Sequence, residues 1–140
     1  MTCNSWIEIA EEFERMFMSP DHNTVFTKAG GYRMNFMPAR DPKWPRMKAH
    51  VFNVVFDSME HILGGEEQIE AFKKLGFTSF EDKDKTFNMY QKIYDAEPDD
   101  GRELYEMMKG AFGQLGVEVP PIEVELGYTP TSMRSDWINL

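Results

Sequence analysis

Cysteine is nearly missing from this chain: of 140 residues only Cys3 carries a thiol. One thiol excludes an intramolecular disulfide and a cysteine-built zinc centre. Its place among the first few residues, where chains fray, gives it no evident chemical task. Long apolar runs are missing too, since nothing approaches the ~18 residues of a membrane span. The first residues carry Glu8, Glu11, Glu12 and Glu14 and do not read as a signal peptide, so the expected location is a reducing cytoplasm with no membrane partner.

Positive charge is scarce, with 15 Lys and Arg against 24 Asp and Glu and a net charge of −9. Such an average surface repels nucleic acid and anionic membranes and suits a partner protein with a basic surface. Motifs of known chemistry are absent as well. There is no phosphate-cradling GxGxxG or Walker spacing, no HExxH and no GxSxG. No serine or carboxylate stands out as a nucleophile or general acid. An enzyme is therefore not expected, nor any cofactor. No repeat and no low-complexity segment appears.

Core-forming material is present in quantity: 41% of residues are hydrophobic and 14% aromatic, with eleven Phe and eleven Met. Large, adaptable side chains of this kind fill irregular gaps between packed elements. The clearest periodic stretch is His50 to Leu63. At about 100° per residue, Val51, Phe52, Val55, Phe56, Met59, Ile62 and Leu63 share one arc of about 140°, and only Val54 is out of place. The run Val54-Val55-Phe56 breaks strict alternation, so the spacing predicts a central helix, starting at Pro42 or near Pro45 and stopped by Gly64.

Four further helices are predicted. The first runs from an Asn4 or Ser5 cap to Met18, on a stripe of Trp6, Ala10, Phe13 and Phe17. A short one spans Glu66 to Leu75 with Gly76 as its stop. Another starts at Thr78-Ser79 and carries Phe80, Phe87, Tyr90, Ile93 and Tyr94. The last is capped by Asp99 or Asp100 and ends at Gly116. Thr24 to Met37 reads as a hairpin around Ala29-Gly30-Gly31, and Ile122, Val124 and Leu126 alternate with Glu123 and Glu125 in a third strand. The expectation is an α+β fold, mostly helical, with about five helices, a β-hairpin near 24–37 and a third strand near 122–126. Residues 1–127 are expected to form a single globular domain and 128–140 a polar tail ending in Trp137, Ile138 and Leu140.

Charge is the most unusual local feature. Between residues 28 and 48, Lys28, Arg33, Arg40, Lys43, Arg46 and Lys48 stand against one acid, Asp41. With Trp44, Tyr32 and Phe36 interleaved, this segment is the candidate site for an anion, nucleotide or partner. The opposite candidate is an acidic partner face built by Glu8, Glu11, Glu12, Glu66, Glu67, Glu70, Asp99, Asp100 and Glu103. For a metal, His50, Asp57 and His61 fall on one side of the expected central helix, a weak constellation without a third-element ligand. The functional expectation is a non-enzymatic protein-binding module acting as a regulator, inhibitor or accessory subunit. The alternative is a binder of, or enzyme on, an anionic small ligand or nucleic acid through the 28–48 segment.

Overall fold

A computed structural model of the chain describes residues 1–40, 47–58, 65–81, 88–97 and 100–129, with backbone only at 39–40, 47–50, 79–81 and 88. Ten elements follow in order: β1 (Thr2–Cys3), α1 (Trp6–Met18), β2 (Thr24–Ala29), β3 (Tyr32–Arg40), β4 (Met47–Ser58), α2 (Glu66–Lys74), β5 (Thr78–Glu81), β6 (Asn88–Asp95), α3 (Gly101–Gly113) and β7 (Ile122–Gly127). The strands make one antiparallel sheet in the order β1-β7-β2-β3-β4-β6-β5. The molecule is not mostly helical with five helices. Among the described residues it has three, and the sheet organises it.

The central helix expected over 50–63 is strand β4, and its lead-in and end at 41–46 and 59–64 lie outside the described residues. Every residue from Val51 to Ser58 is buried. A strand buried along its length carries apolar residues on both sides, here Phe52, Val54 and Phe56 on one and Val51 and Val55 on the other, so strict alternation is lost and the run mimics a helical arc. The β-branched Val51, Val54 and Val55 favour the extended chain. The helix expected from Thr78-Ser79 is likewise replaced by β5 and β6, and residues 82–87 between them lie outside the described set.

The hairpin forms with a two-residue turn. Gly30 and Gly31 take φ of 59° and 84°, both positive as a type I′ turn demands, and Ala29 faces Tyr32 across it. That turn fixes the register, so Lys28 pairs with Arg33 and Phe26 with Asn35. Strand β7 pairs with β2 over Thr24 to Lys28 and is flanked on its far side by the two-residue β1, so it is not the sheet edge.

Helix α1 is capped by Ser5, whose hydroxyl accepts the Glu8 amide at 3.3 Å. Ile9, Phe13 and Met16 turn inward, where Phe13 meets Phe36 edge-on at 4.9 Å between ring centres. Helix α2 ends at Gly76, φ 90°, where the Phe77 amide returns to the Phe72 carbonyl at 3.0 Å. Helix α3 presents Leu104, Met108, Ala111 and Phe112 to the same core. Phe56 on β4 joins the layers, touching Phe72 of α2 and Phe112 of α3 at 5.2 and 5.1 Å. All three helices thus cover the face of the sheet that carries Val25, Met34, Phe36, Phe52, Val54, Phe56, Tyr90 and Val124. The other face carries a small separate cluster of Met37, Val55 and Met89 and no described helix.

The described residues continue past Gly127 to Thr129. Thr129 is buried, its amide donates to the Asn23 side-chain oxygen at 2.8 Å, and its carbonyl accepts the Asn23 amide group at 2.9 Å. The remaining tail, 130–140 with Trp137, Ile138 and Leu140, lies outside the described residues.

Candidate docking face of the sheet

Alternation along each strand sends every second side chain away from the helices. On the face so formed, the register aligns Glu123, Lys28, Arg33 and Asp57 in one row across β7, β2, β3 and β4. The row is internally neutral. Lys28 Nζ lies 3.3 Å from Glu123 Oε2, both side chains more than half exposed, a pair worth little in water. Arg33 grips Asp57 with a fork of two bonds, Nε to Oδ1 at 2.8 Å and a terminal nitrogen to Oδ2 at 2.9 Å. The Asp57 side chain is only 10% exposed, so this pair is shielded and directional.

Two of the seven expected anion-binding residues are therefore neutralised within the chain. Arg40 and Lys48 are placed on β3 and β4 by backbone alone, and Lys43, Trp44 and Arg46 lie outside the described residues. The expected metal constellation is not brought together either. His50 and Asp57 sit seven positions apart on one strand, roughly 23 Å, instead of two turns of a helix. His61 lies outside the described residues. Among the described residues no three His, Cys, Asp or Glu side chains gather to hold a metal.

Beside the neutral row runs a second one, Glu125, Phe26 and Asn35, on β7, β2 and β3. Apart from Asp57, the two rows line a shallow cleft of about 370 Å³ that also includes Met1. The Phe26 ring lies over Gly127, where an added Cβ would come within 2.6 Å of ring carbon Cε2. Glycine at this one position lets the ring settle across β7, next to Glu125. Glu125 is exposed and has no ion-pair partner among the described residues. Elsewhere on this face Asn53 is 1% exposed, and among the described residues neither its amide nitrogen nor its oxygen finds a hydrogen bond, nor does the buried Oε1 of Gln91. Phe26, Asn35 and Glu125 were legible as strand residues, but only the register of the two-glycine turn shows that they meet.

Among the described residues, the expected acidic positions are distributed over separate parts of the helix layer. Glu12 is 4% exposed, directed into the protein and bonded to Arg15 at 2.9 Å. Asp100 accepts the Tyr94 hydroxyl at 3.3 Å and the Glu97 amide at 2.9 Å. Trp6 stacks on Arg102, 4.7 Å from ring centre to guanidinium carbon, and Ala10 packs on Gly101, while Asp100 and Glu103 stand at the start of α3. Glu66, Glu67 and Glu70 line a different cleft with Lys74 and Gln114, at the end of α3. The length of α3 separates the two groups by roughly 20 Å. Asp99 lies outside the described residues.

On the helix side, Lys92 donates to the Leu75 carbonyl at 3.1 Å and lies over the rings of Phe77 and Tyr94. Burial lowers its pKa, against the opposing pull of Glu103. Burial first, then hydrogen bonding to Glu103 and the charges of Asp100 and Glu103, raises the Tyr94 phenol. These groups tie β6 to the end of α2 and the start of α3. Cys3 is buried, and burial followed by Glu12 and Glu8 raises its thiol. No helix among the described residues is long and apolar enough to cross a membrane. Compared with known proteins, the chain matches no protein-family model, no curated protein and no solved structure.

Proposed function

We propose that the chain is a protein-binding module, acting as a regulator, inhibitor or accessory subunit, and that it docks through the sheet face opposite its helices. The observation that carries this reading is the asymmetry of the sheet. Its helix side is filled by one continuous core, whereas its other side offers a cleft that holds the half-buried Phe26 ring and, in Glu125, an exposed carboxylate with no ion-pair partner among the described residues. Net charge −9 steers such a module toward a basic partner. The pairing of Lys28 with Glu123 and of Arg33 with Asp57 counts against the alternative of an anionic ligand at these two residues.

The test is comparative capture from the native cell with a tagged chain. Glu123→Lys combined with Glu125→Lys, checked for retained fold by circular dichroism, abolishes capture of the partner. Glu66→Gln with Glu67→Gln and Glu70→Gln leaves it intact. Capture that survives the first set and is lost with the second would place docking on the helices and refute the proposal.

A further inference from the structure

The partner's contact can be named more closely from the second row of the cleft. Strand register places Phe26 directly between Glu125 on one side and Asn35 on the other. The neighbouring charges cancel in pairs, Lys28 with Glu123 and Arg33 with Asp57. The Met1 ammonium is engaged by the Val124 carbonyl at 3.2 Å. Beside that ammonium, the described residues offer an incoming group one carboxylate without an ion pair, one half-buried aromatic ring and one side-chain amide in a line.

We infer that this line seats an arginine of the partner protein, its guanidinium flat on Phe26 between the Glu125 carboxylate and the Asn35 amide oxygen. The inference rests on the docking reading of this face. A guanidinium is planar and weakly hydrated, stacks on aromatic rings and carries forked donors on opposite edges. The flanking strands lie two spacings apart, about 9.6 Å, which suits a planar group with a hydrogen bond at either end. A lysine ammonium is a point charge and reaches only one of the two flanks. The cleft is shallow, so it cannot enclose a free small molecule, and the surrounding contact area must come from the protein that presents the arginine.

Nuclear magnetic resonance titration tests this on the intact chain with blocked tripeptides of the form Gly-X-Gly. With X as arginine, the Asn35 side-chain amide and the Glu125 backbone amide shift saturably. Citrulline, the uncharged isostere, binds at least about fivefold more weakly, a factor in the range of a lost cation–π and ion-pair contact. Glu125→Gln and Phe26→Leu each weaken the arginine peptide by a similar factor, and Glu70→Gln does not. Equal binding of arginine and citrulline, indifference to Glu125→Gln, or shifts confined to the helices would overturn the inference. Should those results coexist with partner capture that Glu123→Lys and Glu125→Lys destroy, the arginine seat falls while the docking face stands.

Discussion

At the scale of single residues, the fork between Arg33 and Asp57 is the best-defined electrostatic contact of the sheet face. Asp57 is nearly enclosed while Arg33 keeps 36% of its side chain in solvent, so the value of the pair lies between those of surface and buried bridges. Removing Asp57 leaves the guanidinium with an empty fork; removing Arg33 leaves a shielded carboxylate without a counter-charge, which is worse. Arg33→Met is expected to cost about 1–3 kcal/mol, Asp57→Asn somewhat less, and the double variant less than the sum. Urea unfolding of the four proteins checks this cycle. Strict additivity would mean that the two side chains do not interact in solution. In the sequence both residues were visible only as members of two different groups, a cationic island and a metal constellation. Neither grouping pointed to their pairing, because cross-strand partners 24 positions apart leave no mark on local spacing.

At the scale of elements, the decisive strand is β4. Its apolar residues point to both sides: Phe52, Val54 and Phe56 to the helices, Val55 to Met37 and Met89. The sequence offered a helical arc there because burial on two faces erases the period-2 signal that marks a half-covered strand. By contrast, β7 is covered on one face, and its alternation of Ile122, Val124 and Leu126 with glutamates was readable directly. The helices α1, α2 and α3 were readable for the same reason, each having one wet side. The acidic face was not, because whether Glu8 and Glu70 share a surface depends on how helices pack, and no single segment records that. Val54→Thr and Val55→Thr provide the test for β4. Each places a hydroxyl where a methyl was buried, and each is expected to lower stability by about 1–3 kcal/mol. A helix with one exposed side would tolerate one of the two, so a neutral result at either position contradicts the strand as described.

At the scale of the whole molecule, the titrating groups tied up in the fold set its response to alkali. Burial raises the phenols of Tyr90 and Tyr94 above their ordinary value of 10.0 and the Cys3 thiol above 9.0. Once unfolded, these groups lose protons near their ordinary values, while the folded chain retains them. Folded protein therefore binds more protons in that window, and stability falls as pH rises from about 9 through the raised values. Lys92 acts in the opposite sense, since its lowered pKa makes the unfolded chain bind more protons below 10.5. Three groups outweigh one, so the urea midpoint is expected to drop between pH 9 and 11, and Tyr94→Phe to flatten that drop. An unchanged or rising midpoint would show that these side chains are solvated.

The same whole-molecule view separates two surfaces, the acidic helix layer and the sheet face that holds the cleft of Phe26 and Glu125. Carboxyl footprinting of the chain, alone and bound to its captured partner, distinguishes them most directly. Docking through the sheet predicts that Glu123 and Glu125 lose reactivity in the complex while Glu66, Glu67, Glu70 and Glu103 keep theirs. Protection of the helix glutamates, with Glu123 and Glu125 still reactive, would contradict the account.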